Sequence, residues 1–234
     1  MKTVLITGST SGIGRATAKL FSKKGYFVFV NGRDEKRGGE VAGEIGGKFI
    51  RADVTDPKQV DRLFSQIESL DVLVNNTGGI VGNDSLEKAS EEDLILGFRH
   101  NFFGAFYCTQ KAAGIIKKGS IVNVASICGF GVYPAGPRGL PIYSASKAAI
   151  LNFTQTSAKL LAPKIRVNAV VPGYVKTGPT GLYMTLLVKA KLNPQTLVGR
   201  INSVEETASA IYFAATNEAM TGSQIVVDGG ILVK

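Results

Sequence analysis

The chain of 234 residues contains no tryptophan, one histidine and two cysteines. Cys108 and Cys128 cannot supply the disulfide framework of a small secreted protein, so we expect both to be structural. Because His100 has no neighbouring Cys/His cluster, the sequence predicts no transition-metal site. These scarcities argue against a metalloenzyme and against catalysis by histidine.

Long apolar runs are also missing. The longest ones have the length of a strand and are interrupted by glycine or charge, whereas a membrane span needs about 20 apolar residues. The first residues, Met1 to Gly8, run directly into a strand and a glycine turn, unlike a signal peptide. The sequence therefore predicts a soluble cytoplasmic protein without a membrane partner.

Acidic residues are outnumbered by basic ones, 18 to 27, which gives a formal net charge of +9. Such a charge suits a nucleic acid, an acidic carrier protein or an anionic cofactor as the partner. Lysine and arginine are scattered along the chain instead of forming a basic block, and no nucleic-acid motif occurs. We therefore expect no nucleic-acid partner, and salt-dependent binding to DNA or RNA would contradict this expectation.

Strand-like apolar runs alternate with amphipathic segments along the chain. The predicted strands are Thr3–Thr7, Phe27–Asn31, Lys48–Arg51, Asp71–Asn75, Ser120–Ala125, Ile165–Val170 and Gln224–Val227. The predicted helices are 12–24, 34–45, 57–69, 90–117, 142–161 and 203–216, each long enough for a right-handed crossover. This alternation predicts an α/β doubly wound Rossmann fold, with a seven-stranded parallel sheet, helices on both faces and a single domain over residues 1–234.

A glycine-rich turn follows the first strand and opens the first helix. It comprises Gly8, Ser9, Thr10, Ser11, Gly12, Ile13 and Gly14. Glycines let the backbone approach a pyrophosphate closely, and the amides and dipole of the helix favour its negative charge. The spacing Gly-x-x-x-Gly-x-Gly differs from the commonest dinucleotide fingerprint, Gly-x-Gly-x-x-Gly. We interpret the turn as a dinucleotide site; the alternative is a tight turn without a ligand.

The end of the second strand predicts which dinucleotide is bound. Many dinucleotide folds place an acidic residue there to hold the ribose 2′-hydroxyl of NAD, but this chain has Asn31, Gly32 and Arg33. Arg33 can bind a 2′-phosphate through charge-assisted hydrogen bonds, whereas a carboxylate would repel it. The sequence therefore favours NADP(H) over NAD(H). The alternative is a solvated arginine beside Asp34 and Glu35.

Tyr143 and Lys147 are four residues apart in a predicted helix, so their side chains lie on one face. There the ammonium can favour the phenolate and lower a tyrosine pKa that starts near about 10. Ser126 follows a predicted strand, at the edge where open α/β sheets build ligand clefts. The same spacing at Tyr107 and Lys111 lacks such a serine, and we interpret that pair as helix surface or a subunit contact.

The motifs together resemble the short-chain dehydrogenase/reductase family over essentially the whole chain. Besides the glycine turn, the residues that agree in order are Asp53, Val54, Asn75, Thr77, Gly78, Asn101, Ser126, Tyr143, Lys147, Pro172, Gly173, Val175 and Thr177. The resemblance implies an oxidoreductase in which Tyr143 exchanges a proton with the substrate oxygen and Ser126 hydrogen-bonds that oxygen. Lys147 would hold the cofactor ribose and lower the pKa of Tyr143.

The resemblance also implies cofactor contacts elsewhere in the chain. Asp53 would contact the adenine, Asn75 would support the central sheet and the cofactor pocket, and Thr177 with Pro172 and Gly173 would orient the nicotinamide. Residue type alone leaves other roles open. Asp53 could cap a turn, Asn75 could satisfy backbone groups at a strand end, and Thr177 could be an ordinary loop residue.

Asn101 lies within a predicted helix, where asparagine is not favoured. The resemblance implies that Asn101 holds a water molecule linked to Lys147 and sustains the proton path to solvent. It would thus complete a catalytic set of Asn101, Ser126, Tyr143 and Lys147. The alternative is a buried hydrogen bond between the helix and the sheet.

Two features depart from the family pattern. Thr77 stands where the family signature Asn-Asn-Ala-Gly has alanine, and the interval between Ser126 and Tyr143 is a few residues longer than usual. We expect the longer loop, 127–141, to reshape the wall of the substrate pocket. Arg138 in this loop is either a contact for an anionic substrate or a solvated charge.

Substrate and assembly are expected from the resemblance. The leading substrate is a 3-oxoacyl thioester on an acyl carrier protein; the alternatives are a sugar, polyol or other secondary alcohol, and, outside enzymes, an NADP(H)-sensing module. Segment 178–198, with Leu182 and Leu186, is predicted to be a substrate lid or a subunit contact. A homotetramer is expected through the helices 90–117 and 142–161.

Overall fold

Seven parallel strands form one sheet in the computed structural model, which describes residues 1–132, 140–177 and 196–233. The strands are β1 (Thr3–Ile6), β2 (Phe27–Gly32), β3 (Lys48–Arg51), β4 (Val72–Asn75), β5 (Gly119–Val124), β6 (Ile165–Pro172) and β7 (Gln224–Val227). Their order is β3-β2-β1-β4-β5-β6-β7, and every neighbouring pair is parallel. The predicted doubly wound fold is confirmed.

Helices connect the strands along the described chain. They are α1 (Gly12–Lys23), α2 (Glu35–Ile45), α3 (Pro57–Phe64), α4 (Glu91–Phe98), α5 (Gly104–Ile115), α6 (Pro141–Leu161) and α7 (Val204–Thr216). Several begin at side-chain caps: Asp34 caps α2, Asp56 caps α3, and the serines Ser90 and Ser203 start capping boxes on α4 and α7. No helix within the described residues is long and apolar enough to cross a membrane.

Alternating side chains of the strands fill two cores, one on each face of the sheet. In β1, Leu5 packs in a cluster with Leu63 of α3, whereas Ile6 packs in a second cluster with Phe21 of α1 and Ile211 of α7. All five side chains are fully buried. Burial of such a side chain contributes about 1.5–3 kcal/mol, so both helical layers are held firmly on the sheet.

The helix predicted over 90–117 is confirmed as an unbroken helical segment over 91–115, although its geometry changes along its length. Between α4 and α5 the residues Arg99–Phe103 form a π-helical turn, in which Asn101 Nδ2 donates to the Gly97 carbonyl oxygen at 3.0 Å. A π-turn widens the helix and leaves backbone groups for side chains to satisfy. The helix predicted over 57–69 is also shorter and ends at Phe64.

The strand order reverses between β1 and β4, which are neighbours in the sheet although they are distant in sequence. Crossover helices leave from opposite sides of such a switch point, so a crevice opens at the carboxyl ends of the strands. The loops after β1, β2, β4 and β5 therefore converge on one edge of the sheet. Part of the predicted site lies in these loops, whereas Asn101 lies in the π-helical turn and Tyr143 and Lys147 lie in α6.

Candidate functional site

A cleft of about 700 Å³ opens at this edge of the sheet. The predicted site residues that line it are Gly8, Thr10, Ser11, Gly12, Ile13, Gly14, Arg33, Asp53, Val54, Thr77, Gly78, Ser126, Tyr143, Lys147, Pro172, Gly173, Val175 and Thr177. They come from segments as far apart as residues 8 and 177. The tertiary fold thus brings most of the predicted site into one place.

The glycine turn forms a cradle at the start of α1. Gly8 and Gly12 have positive φ angles of 62° and 52°, which glycine adopts without strain. A Cβ on Gly14 would collide with the carbonyl oxygen of Gly8, so only glycine fits where helix and turn pack together. Ser11, the N-cap residue, makes no side-chain capping hydrogen bond. This helix N-terminus, with its close backbone approach, fits an anionic pyrophosphate.

Asn76 supports the same turn, and the sequence analysis gave it no role of its own. Its side-chain Nδ2 donates to the carbonyl oxygens of Thr7 and Gly8, at 3.0 and 3.1 Å. These bonds tie the loop after β4 to the turn after β1. The position of Asn76 within the family signature was the signal that could have predicted this contact.

Arg33 follows β2 and lies at the mouth of the cleft beside Asp53. The two side chains form a loose ion pair, with 3.7 Å between Arg33 Nη1 and Asp53 Oδ2, and 72% of the Arg33 side chain is exposed. An exposed ion pair of this length contributes little to stability, so its loss would cost the fold little. The guanidinium is therefore available to a phosphate that enters the cleft.

Three residues predicted to bind the cofactor lie behind the wall of the cleft. The hydroxyl of Ser9 donates to the Ile6 carbonyl oxygen at 2.7 Å and accepts from the backbone N–H of Asn31 at 3.0 Å. The side chain of Asn75 donates to Asn123 Oδ1 at 2.8 Å across the neighbouring strand. All three side chains are buried. They hold the strand ends in register and shape the cleft from within.

Asn101 also lies behind the wall, in the π-helical turn. Its Oδ1 accepts from Gly79 N at 2.8 Å, and its Nδ2 donates to Gly79 O at 3.0 Å. A Cβ on Gly78 would lie 2.8 Å from Asn101 Oδ1 and 3.0 Å from Lys147 Nζ. Glycine at position 78 therefore leaves the space between the amide and the ammonium open, which is where the resemblance places a water molecule.

Ser126, Tyr143 and Lys147 meet at the floor of the cleft. The hydroxyl of Ser126 hydrogen-bonds the phenol of Tyr143 and accepts from the backbone N–H of Cys128 at 3.2 Å. Lys147 lies one helical turn beyond Tyr143; its Nζ donates to the Val124 carbonyl oxygen at 2.9 Å and lies 5.7 Å from the centre of the tyrosine ring. The three groups thus form one connected constellation on β5 and α6.

Burial sets the ionisation of this constellation. It raises the pKa of Tyr143 to about 12, although the hydrogen bond from Ser126 acts in the opposite direction, and it lowers the pKa of Lys147 to about 8. The prediction that Lys147 lowers the pKa of Tyr143 is therefore wrong for the protein chain itself. The ammonium faces a backbone carbonyl, and the desolvation of the phenolate dominates. At neutral pH the phenol is protonated and can donate a proton to a carbonyl oxygen.

His100 lines the cleft, although the sequence analysis assigned it no role. The imidazole is half-buried, and its Nε2 would lie 3.8 Å from a Cβ on Gly79. Burial lowers its pKa, and the positive charges of Arg33 and Lys147 act in the same direction. Its position next to Asn101 was the signal in the sequence that could have placed it here.

Other predicted features lie on other surfaces or outside the described residues. Lys111 forms an ion pair with Asp61 at 2.6 Å on the surface of α5, whereas Tyr107 is partly buried against the core, so the second Tyr-x-x-x-Lys pair is remote from the cleft. Both cysteines are buried and unpaired, and burial raises their pKa values. Arg138 and residues 178–195 of the predicted lid, with Leu182 and Leu186, lie outside the described residues. The part of the chain that is described contains no group of three or more metal-ligating side chains.

Comparisons with known proteins give one family match and several similar proteins. The family model described as short chain dehydrogenase matches residues 2–183. The 3-oxoacyl-(acyl-carrier-protein) reductase of Aquifex aeolicus is 34% identical, with 98% of this chain and 97% of the relative covered. The cyclopentanol dehydrogenase of a Comamonas species is 35% identical, with 98% and 96% covered. A solved structure titled short chain dehydrogenase/reductase family protein has a TM-score of 0.86 at 33% identity, with 99% of this chain and 97% of that chain covered.

Proposed function

The chain belongs to the short-chain dehydrogenase family and is an NAD(P)-dependent oxidoreductase, and we propose that it interconverts a ketone or aldehyde and an alcohol with NADP(H). The observation that carries this proposal is the meeting of Ser126, Tyr143 and Lys147 in the cleft whose other end is the glycine cradle. An NADP(H)-sensing module would have no use for this constellation. The whole chain acts as one oxidoreductase domain.

The bound nicotinamide would supply or accept the hydride. In the direction of reduction, Tyr143 donates its phenolic proton to the substrate oxygen while Ser126 hydrogen-bonds the charge that develops there. Lys147 holds the cofactor ribose, and Asn101 sustains the return of a proton from solvent through water. The high pKa of Tyr143 keeps the phenol protonated and ready for this donation.

Arg33 supports NADP(H) over NAD(H). It lies at the cleft mouth and is largely exposed, so a 2′-phosphate can reach its guanidinium. The cofactor would lie between the glycine cradle and the Pro172, Gly173 and Thr177 segment, with Asp53 beside the adenine.

The leading substrate is a 3-oxoacyl thioester carried by an acyl carrier protein. The similarity to 3-oxoacyl-(acyl-carrier-protein) reductases, the net charge of +9 and the apolar side chains of Ile80, Ile127 and Leu140 along the cleft support it. A secondary-alcohol dehydrogenase is the second candidate, favoured by the similarity to cyclopentanol dehydrogenase. The homotetramer and the cytoplasmic location stay predictions.

A substrate panel followed by nicotinamide absorbance tests the proposal. The panel contains a 3-oxobutanoyl thioester on acyl carrier protein, the same thioester without the carrier, cyclopentanone and an aldose, each with NADPH and with NADH. We expect turnover of the carrier-bound thioester with NADPH. Faster turnover of cyclopentanone would favour the second candidate, and no turnover of any carbonyl would refute the proposed function.

Tyr143→Phe tests the acid–base role within this assay. We expect turnover to fall by about a hundredfold to ten-thousandfold, because proton transfer by a positioned side chain contributes about 10²–10⁴-fold. Binding of NADPH and the melting temperature should change little. Tyr107→Phe, the same substitution in the second Tyr-x-x-x-Lys pair, is the control and should keep the normal rate. A near-normal rate for Tyr143→Phe would end the assignment.

A further inference from the structure

The loop that follows β4 runs from the glycine residues beside the cofactor site past the start of the helix that carries Tyr143. It begins at Asn76, passes through Gly78 and Gly79, which line the cofactor side of the cleft, and continues to the start of α4. Asp84 lies midway along this loop and is partly buried. It is not among the residues that the sequence analysis or the family resemblance singles out.

Asp84 caps the helix that carries the tyrosine. One carboxylate oxygen accepts from the backbone N–H of Ile142 at 2.8 Å, and the other accepts from the backbone N–H of Tyr143 at 2.9 Å. The N-cap residue Leu140 has no side-chain acceptor and makes no capping bond. The first turn of α6 therefore receives its side-chain cap from a residue 58 positions earlier in the chain.

Such a cap controls where the phenol points. The first N–H groups of a helix have no partner within the helix, and a first turn without a cap frays. Tyr143 lies in that first turn, whereas Lys147 lies one turn further in and is anchored by its own bond to Val124. A charged acceptor bound to two successive amides fixes the backbone of Tyr143, and with it the position of the hydroxyl next to Ser126.

The loop itself is held in place before it reaches Asp84. Asp93 accepts from the backbone N–H of Asn83 at 2.8 Å and forms the capping box of α4 with Ser90. Gly82 has a positive φ angle of 67°, and a Cβ there would lie 2.6 Å from Asp93 Oδ1. Asn83, the neighbour of Asp84, is thus held by the Asp93 carboxylate, which also caps α4.

We propose that Asp84 is a positioning residue for the reaction, and that it acts by fixing the first turn of α6 and so holding the Tyr143 hydroxyl at the reacting oxygen. This role rests on the proposed function, because it requires that Tyr143 be the proton donor. Asp84 also links the cofactor side of the cleft to the proton donor, because the loop that carries it begins beside Gly78 and Gly79.

A graded series of substitutions tests the role. Asp84→Asn keeps one good acceptor and Asp84→Ala keeps none, so kcat should fall about tenfold and about a hundredfold, since a displacement of about 1 Å can cost a hundredfold in rate. The KM for NADPH should stay within about twofold, because the glycine cradle and Arg33 lie elsewhere in the cleft. Amide hydrogen exchange of residues 140–147 should quicken in both variants. A general loss of structure would instead raise KM and lower kcat together.

Asp56→Asn is the matched control, because it makes the same chemical change in a carboxylate that accepts from a backbone N–H at the start of α3, and Asp56 is absent from the cleft lining. It should lower the melting temperature about as much as Asp84→Asn yet keep kcat within about twofold. A similar loss of kcat in Asp56→Asn would overturn the proposal, because general destabilisation would then explain both results. Normal kcat in Asp84→Asn despite faster exchange would also overturn it.

The wild-type assay separates failure of the two proposals. If the wild type reduces a carbonyl substrate and the Asp84 variants have the same kcat, only the positioning role is wrong. If the wild type turns over no carbonyl, the proposed function is wrong and the positioning role falls with it. Should Asp84→Ala fail to fold, Asp84→Ser replaces it, since serine keeps one uncharged acceptor and should give a kcat below that of the wild type.

Discussion

Burial acts on the two ionisable groups of the constellation in opposite directions. It raises the pKa of Tyr143 to about 12 and lowers that of Lys147 to about 8, so each group is driven toward its neutral form. Both side chains remain hydrogen-bonded, Tyr143 to Ser126 and Lys147 to the carbonyl of Val124. With this pKa the phenol is protonated at neutral pH, as the proposed proton donation requires.

We expect cofactor selection to depend on Arg33, and Arg33→Ala tests this prediction. We expect the affinity for NADPH to fall about ten- to a hundredfold, since a hydrogen bond to a charged group contributes about 1.5–3 kcal/mol, while the affinity for NADH changes little. Arg37→Ala is the control, because Arg37 pairs with Asp34 and is absent from the cleft lining. Fluorescence titration with both cofactors measures the effect, and equal losses for the two would contradict the assignment.

We expect the unit formed by β1, the glycine turn and α1 to couple stability to cofactor binding. The turn allows α1 to begin directly at Gly12, and Gly14 lets the first turn of the helix pack against the backbone of Gly8. Other glycines face open space: a Cβ on Gly39, within α2, would meet nothing within 4 Å. Glycine is thus required for close packing at position 14 in α1, whereas position 39 in α2 has room for a side chain.

Paired glycine-to-alanine substitutions test this contrast. Gly14→Ala should destabilise the protein and abolish tight NADPH binding, because the added methyl group collides with the Gly8 carbonyl. Gly39→Ala should raise the free energy of unfolding by about 0.5–1 kcal/mol, since alanine favours the helix and the site has room. Denaturant unfolding with and without NADPH measures both effects. Tight NADPH binding by Gly14→Ala would show that the cradle is not the pyrophosphate site.

An aromatic surface on α5 and α6 bears on the assembly of the whole molecule. Phe106 is 42% exposed, and its ring lies 6.2 Å from that of Phe102 and 5.6 Å from that of Phe153. Contiguous exposed apolar patches are typical of surfaces that bind another protein. The two helices are those through which the family resemblance predicts subunit contact, so this aromatic surface supports the predicted homotetramer.

Phe106→Glu tests the assembly. We expect wild-type protein to have four times the 24.7 kDa mass of the chain by light scattering, and the variant to have a smaller mass, because a carboxylate cannot be buried unpaired in an apolar contact. Leu86→Glu is the control, since Leu86 is 86% exposed and lies outside both helices. A wild-type mass equal to one chain would contradict the prediction of a tetramer.

Local patterns in the sequence were sufficient to predict the sheet and most of the cleft. Strand-sized apolar runs and helix-sized connections specify parallel strands, and the carboxyl ends of such strands meet at one edge. Gly8, Gly14 and Arg33 could be placed there because their positions follow directly from the strands before them. Positions of this kind depend on neighbours in sequence, which a pattern can capture.

The remaining features depend on contacts between distant segments. Asn101 in the π-helical turn hydrogen-bonds the loop after β4, the raised pKa of Tyr143 comes from the burial of its ring, and the cap from Asp84 joins residues 58 positions apart. Hydrogen-bond partners and the local dielectric depend on how the molecule packs, so no periodic pattern in the sequence predicts them. The sequence by itself determined which groups are available for the chemistry, and only the tertiary structure decided their protonation and their support.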